Sequence, residues 1–344
     1  VSLGNARIGA GPLLATTGLG AGFSWGPALL LWRGPPNLRH GLRNTAMAIA
    51  WVFPGQGSQK VGMVDPLLTI PGAAERFAMA SELVGRDLLA ICRGESGGGT
   101  GPDELNDTRN TQLALFLVES LLVDELLKQG REAAVVAGHS LGELVALYAA
   151  GVFELETGLS LMKTRSELMA AAGGGAMTAV IGFDRTQLND LVDATAGVSI
   201  ANDNSEAQVV ISGTPQAVEQ VSGALKCKRA IPLAVSGAFH SPFMADAANQ
   251  FAECLDGVLF KDARVPVLSN SQPSASTDAG ELKTRLKQQM TTGVRWRETM
   301  ATMTAAGIDT LVEIGPGNVL SGLAKRSMTG VTTAQIAGSG DLGQ

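Results

Sequence analysis

The stretch Ala133-Ala134-Val135-Val136-Ala137-Gly138-His139-Ser140-Leu141-Gly142-Glu143-Leu144-Val145-Ala146-Leu147-Tyr148-Ala149-Ala150 decides how this chain is read. Its first five residues are a short apolar run closed by glycine, which predicts a buried strand, and its last seven predict an apolar helix. The turn between them carries the spacing Gly-x-Ser-x-Gly. On a sharp strand-to-helix turn that spacing exposes the serine hydroxyl and faces the next backbone N–H toward a developing oxyanion. Two other serines share it, in Gly22-Phe23-Ser24-Trp25-Gly26 and Gly94-Glu95-Ser96-Gly97-Gly98. The first lies in a leader without periodicity and the second in a polar glycine-rich loop, so neither follows a strand or opens a helix. Context therefore selects Ser140 as the candidate nucleophile.

Outward from this turn the pattern is that of an α/β protein. A strand at 48–53 precedes helices at 73–92 and 111–129, and a helix at 156–171 follows. Residues 176–235 change rhythm to strand, helix, two short strands, helix and strand, the βαββαβ order of a ferredoxin-like unit. A helix at 240–255, a strand at 265–268, helices at 279–290 and 296–306, and a strand at 310–314 resume the first pattern. The expected fold is a large α/β-hydrolase-like domain with a parallel sheet, residues 47–175 and 236–330, interrupted by a small ferredoxin-like subdomain at 176–235. A cleft should lie between them, and residues 331–344 read as a C-terminal tail.

The 344 residues are 45% hydrophobic, enough to fill a substantial core. Residues 1–46 hold four of the 26 basic residues and none of the 32 acidic ones, which leaves the rest of the chain at −10. Such a body repels nucleic acid. Rich in Gly, Ala, Leu and Pro and lacking a period, the leader reads as disordered, either an organelle transit peptide or sequence upstream of a start at Met47. Its longest apolar run, 27–32, is far shorter than the roughly 20 residues of a membrane helix. Cys92, Cys227 and Cys254 have neither the pairing of a disulfide framework nor the spacing of a zinc site, so no metal is expected and a reducing, cytoplasmic setting fits, with an organelle as the alternative.

A nucleophilic serine needs a base, and there are three histidines. His40 lies in the leader, and His139 adjoins the nucleophile on an elbow that turns neighbouring side chains apart. His240 remains, where the chain leaves the small unit. The turn Phe53-Pro54-Gly55-Gln56-Gly57-Ser58-Gln59 lacks the third glycine of a dinucleotide fingerprint and the Gly-Lys-Ser/Thr of a P-loop. It offers backbone N–H groups at a strand's carboxyl end, suited to a second oxyanion donor.

With these stretches stand Lys163-Thr164-Arg165, Ala201-Asn202-Asp203-Asn204-Ser205 with 208–213, Phe239-His240-Ser241, Gln289 ahead of Val294-Arg295-Trp296, and Glu313-Ile314-Gly315-Pro316-Gly317. Together, over about 49–328, they resemble the malonyl-CoA:acyl carrier protein transacylases of bacterial-type fatty acid synthesis and the related polyketide synthase acyltransferase domains. The resemblance implies Ser140 as acyl acceptor and His240 as its base, oriented by a backbone carbonyl near Gln289. It implies an oxyanion hole from Gln56 and Leu141, with Arg165 binding the malonyl carboxylate. Phe239 resembles the aromatic of malonyl-selective members, and Gln289 and Asn204 complete the implied substrate contacts. Malonyl-CoA and the holo acyl carrier protein are the implied substrates, with no cofactor, and the chain is expected to act as a monomer. Gln112-Leu113-Ala114 and Thr291-Thr292-Gly293-Val294 depart from the family's usual Gln-Pro-Ala and Tyr-Asn-Pro-Val.

An esterase or thioesterase shares the same elbow. A malonyl transferase of malonate decarboxylase or of a polyketide synthase shares every motif and differs in acceptor. A catalytically inert scaffold is the reading from outside enzymology.

Overall fold

A computed structural model describes residues 48–95, 102–235 and 237–343. The leader, with His40 and Ser24, and the loop holding Ser96 lie outside these residues. From the first strand the order is β1 (Ile49–Phe53), α1 (Ala73–Val84), α2 (Leu88–Arg93), α3 (Pro102–Asn106), α4 (Thr108–Lys128), β2 (Val135–Gly138), α5 (Gly142–Ala149) and α6 (Leu155–Ala171). Then come β3 (Ala176–Phe183), α7 (Arg185–Ala194), β4 (Val198–Ser205), β5 (Gln208–Gly213), α8 (Pro215–Ala224) and β6 (Cys227–Pro232). The chain closes with α9 (Ala245–Asp256), β7 (Val267–Leu268), α10 (Ala279–Gln288), α11 (Trp296–Ala305), β8 (Thr310–Ile314), α12 (Val319–Ser327) and β9 (Thr332–Ile336).

Two sheets result. The larger has the order β7-β2-β1-β8-β9, with every neighbouring pair parallel. Alternate side chains of a strand face opposite sides of a sheet, and the core divides accordingly. Trp51, Phe53 and Val136 join the helices α4, α5 and α6, while Ala50, Val52, Val135 and Ala137 meet Trp296, Met300 and Met303 of α11 and Leu320 and Leu323 of α12. Both faces are covered, which is why β1 and β2 read as unbroken apolar runs. The smaller sheet, β4-β5-β3-β6, is antiparallel and packs Val180, Val209 and Ile211 against Leu188 of α7 and Val218 and Val221 of α8.

Some elements differ from the sequence reading. Residues 73–92 form two helices, because Gly85 ends α1 in the left-handed region (φ 65°) and Asp87 caps α2 through Ala90 N–H. Asp107 caps α4 and starts it three residues before 111. The segment read as a tail is corrected: β9 adds a strand to the large sheet beside β8. It is a polar edge strand in which Ile336 alone is fully buried, so it carries no apolar signal.

Candidate active site

Phe53 and Gly138 are register partners, so the loop after β1 and the elbow after β2 leave the sheet side by side at its carboxyl edge. The elbow is tight enough to dictate two glycines. A Cβ on Gly138 would lie 1.9 Å from the Gly142 carbonyl carbon, and one on Gly142 would lie 2.2 Å from the Phe53 carbonyl oxygen. Between them Ser140 is held at φ 56°, and His240 sits at φ 53°; among the described residues no other non-glycine has positive φ. Strain of that kind survives where the surroundings over-determine it, typically at reacting groups.

The two strained residues face each other. Ser140 Oγ lies 2.7 Å from His240 Nε2, and His240 Nδ1 lies 3.0 Å from the Gln289 carbonyl oxygen. A carbonyl oxygen only accepts, so Nδ1 carries the proton and Nε2 is free to take one from the serine. Burial, followed by the positive charge of Arg165, pushes the His240 pKa down to about 3, leaving a neutral imidazole. Leu141, directly after Ser140, is the N-cap of α5, and the N–H groups of Gly142 and Glu143 behind it turn back to the His139 and Ser140 carbonyls. The loop that carries Gln56 runs close to the elbow, since a Cβ on Gly55 would lie 2.5 Å from the His139 carbonyl oxygen, and the Gln56 side chain accepts from the Thr108 hydroxyl at 2.7 Å.

Arg165 projects from α6 into this pocket and is fully buried. Its Nη2 donates to Gln289 Oε1 (2.9 Å) and Ser140 Oγ (3.3 Å), its Nε to Gln289 Oε1 (3.2 Å), and its Nη1 to Gln112 Oε1 (2.5 Å). All these acceptors are neutral. Desolvation lowers the Arg165 pKa to about 10, still well above neutrality, so a buried cation stands beside Ser140, and among the described residues no carboxylate touches it. A cavity of about 870 Å³ opens next to Gln56, lined by Arg86, Asp107, Arg109, Glu167 and Val235 among others.

The chain matches the acyl transferase domain family over residues 50–341. It belongs to that family. It is 48% identical over 296 residues to the malonyl CoA-acyl carrier protein transacylase of Synechocystis sp., covering 86% of this chain and 99% of the relative. The crystal structure of the Synechocystis malonyl-CoA:ACP transacylase superposes with a TM-score of 0.83, covering 86% of this chain and 99% of that one. A malonyl-transacylase solved with the holo acyl-carrier protein of a type II polyketide synthase superposes with a TM-score of 0.79 at 36% identity, covering 86% and 97%. The mixed α/β architecture with its separate antiparallel sheet is thus that of a known acyltransferase fold.

Ser140, His240, Arg165 and Gln289 form one hydrogen-bonded group, with Leu141 next to Ser140 in the chain, whereas Gln56 lines the neighbouring cavity. Asn204 does not reach these groups directly: its Oδ1 lies 2.8 Å from Nε2 of His139, whose ring tilts against Trp296 at 5.6 Å. Phe239 is buried in the large domain's apolar core. Three residues of the site escaped the sequence reading of function. Gln112 holds Arg165, Asn270 holds Ser140, and Glu143 is buried beneath both. Gln112 ends the polar first turn of α4 and is not set apart from its neighbours by sequence; Asn270, 130 residues from Ser140, has no local signature either.

Proposed function

We propose that this acyltransferase moves a malonyl group from coenzyme A to the phosphopantetheine thiol of acyl carrier protein, through an ester on Ser140, in fatty acid biosynthesis. The observation that carries the reading is a nucleophile placed 2.7 Å from a neutral imidazole and 3.3 Å from a buried guanidinium that no carboxylate among the described residues touches. A malonyl carboxylate supplies that contact. Held bidentately, it gains ~1.5 to 3 kcal/mol over the acetyl group that lacks it, roughly ten- to hundredfold.

His240 takes the Ser140 proton as Oγ attacks the thioester carbon. The carbonyl oxygen becomes an oxyanion held by the backbone N–H groups of Gln56 and Leu141, each such donor lowering the barrier by ~3 kcal/mol. The tetrahedral species collapses, the C–S bond breaks, and the imidazolium returns its proton to the departing coenzyme A thiolate. The carrier thiol then enters, gives its proton to His240, attacks the Ser140 ester, and leaves as malonyl thioester while the serine is reprotonated. The sequence of events is ping-pong. The Gln289 carbonyl keeps the imidazole in the productive tautomer throughout, the part an acid plays in other serine enzymes.

Acyl carrier protein as acceptor is supported by the structural relative solved with such a protein. The exposed Lys228 and Arg229 on β6 and Lys325 and Arg326 on α12 offer the basic surface that an acidic carrier needs. Its three cysteines are unpaired, and no helix among the described residues is long and apolar enough to cross a membrane; a cytoplasmic setting accords with the free thiols.

Mass spectrometry tests the proposal. Malonyl-CoA alone should leave a malonyl adduct on Ser140 that persists until holo acyl carrier protein discharges it. Steady release of free malonate without an acceptor would make the protein a thioesterase instead.

A further inference from the structure

The mechanism leaves one buried ionisable group at the site unused. Glu143 lies in the first turn of α5 with its side chain fully buried. Its Oε2 accepts from two directions, from Gln289 Nε2 at 2.8 Å and from the Asn270 backbone N–H at 3.1 Å.

Each partner passes the constraint to a reacting group. Gln289 Nε2 also donates to the Ser140 carbonyl oxygen at 2.7 Å, its Oε1 accepts from Arg165, and its own carbonyl accepts from His240 Nδ1. Asn270 accepts the Ser140 backbone N–H at Oδ1 (2.8 Å) and donates Nδ2 to the Gly138 carbonyl oxygen (2.6 Å). Thus both peptide groups of the strained Ser140, the rear of the His240 ring and the Arg165 fork lie one hydrogen-bonded residue away from a single carboxylate oxygen. We propose that Glu143 is a positioning residue, which keeps nucleophile, base and carboxylate-binding arginine in mutual register through Asn270 and Gln289.

The chemistry of an amide explains why an acceptor stands there. A glutamine side chain can turn over and exchange its donor for its acceptor. In the turned orientation Gln289 would present N–H groups to Arg165, which has only donors. Glu143, acceptor-only when ionised, accepts from Nε2 and so fixes Oε1 toward the guanidinium. Burial raises the Glu143 pKa overall, and the hydrogen bonds from Gln289, Asn270 and Ser269, followed by the positive charge of Arg165, work the other way toward the ionised carboxylate.

The inference rests on Ser140, His240 and Arg165 acting as proposed above, so the experiment carries a control for that reading. Rapid-quench acylation of Ser140 by malonyl-CoA and by acetyl-CoA is measured in Glu143→Ala, Glu143→Gln and Asn270→Ala, each checked for folding by thermal unfolding. Glu143→Ala should lose about 100-fold in acylation rate, the scale of an ångström's misplacement, with kcat falling more than KM rises and with malonyl preference reduced. Glu143→Gln, whose amide oxygen can still accept both donors, should recover most of the rate. Asn270→Ala should slow acylation and keep the malonyl preference, because the Arg165–Gln289 pair is untouched. Should Glu143→Ala fail to fold, Glu143→Asp carries the test, since it withdraws the carboxylate by one methylene and should slow acylation. A folded Glu143→Ala or Glu143→Asp acylating at the parent's rate with the parent's preference overturns the positioning role. A Ser140→Ala protein that still formed the malonyl adduct would instead overturn the underlying site.

Discussion

The two sheets solve different problems. In the large one every residue of β2 and β8 is buried and helices cover both faces, so the strand ends are immobile platforms, and Ser140 is launched from one of them. The small sheet has its apolar face against α7 and α8, and its edge strand β6 is exposed over most of its length. It joins the large domain through Met177 of β3, Val210 of β5 and Ala201 of β4, which enter the large core, and through polar ties from β4. The backbone around Asn202 bridges to Val294, Asp203 accepts from Arg185 of α7 and from Arg297 of α11, and Asn204 reaches His139. The register shifts between Ile200 and Asn202 and between Asp203 and Ser205, and such irregularities re-aim side chains. The comparison teaches that the large sheet launches the proposed nucleophile, while the small one is held against it by apolar residues of three strands and by the polar ties of Asn202, Asp203 and Asn204.

Substitutions can break that division, beginning where the effect should be largest. His240→Ala removes the proposed base beside the large sheet and should lower kcat by roughly 10²- to 10⁴-fold, read as the rate of malonyl transfer in protein that unfolds at the parent's temperature. Arg165→Ala should lose about ten- to hundredfold in kcat/KM for malonyl-CoA and far less for acetyl-CoA. An equal loss with both donors would remove Arg165 from carboxylate recognition. The same variant has a signature in pH. The reaction needs His240 neutral, so the rate falls as pH drops through its pKa, which lies far below the usual histidine range in the parent. Removing the Arg165 charge takes away one of the causes of that depression. The acid limb of the kcat/KM profile should therefore move upward in Arg165→Ala.

Asp203→Ala tests the other half of the comparison. It leaves Arg185 and Arg297, both partly exposed, with Glu206 as their remaining shared partner, and should cost about 1 kcal/mol of stability in urea unfolding with only a few-fold change in transfer rate. A loss on the scale of His240→Ala would mean that the small sheet positions the chemistry directly.

How much of this was legible in the sequence follows from distance along the chain. The elbow is a contiguous signal, since strand, Gly138, Ser140, Gly142 and helix lie within one stretch, and the βαββαβ order of the small unit is likewise written in successive segments. Residues that act across the fold are harder to see. Asn270 and Gln112 are single polar residues whose partners are 130 and 53 positions away, and no spacing rule announces them. Asn204 was read as a substrate contact from the motif around it, whereas its carbonyl oxygen is engaged by His139. Strand β9 was read as a tail because an exposed polar edge strand has neither the alternation nor the apolar run by which strands are recognised.

The smallest expected effect on malonyl transfer lies in the core under the large sheet. Glu119 of α4 is fully buried, and among the described residues neither of its carboxylate oxygens finds a hydrogen-bond partner. Burial, and then the negative charge of Glu313, raise its pKa well above the usual glutamate range. Glu313 itself is anchored by the backbone N–H groups of Leu320 and Ser321 at the start of α12. A raised native pKa means that Glu119 contributes stability fully below the pKa of the unfolded chain and loses it as pH rises toward its native pKa. The loss is roughly 1.4 kcal/mol for each pH unit over which it ionises only when unfolded. Glu119→Gln cannot ionise and escapes that loss. Its stability relative to the parent, measured by urea unfolding at pH 5 and pH 8, should therefore improve with pH while malonyl transfer changes little. A relative stability that stayed flat or fell across that range would show that Glu119 is ionised and paired in the folded protein. The large sheet would then owe its immobility to a buried charge as well as to the apolar packing on its two faces.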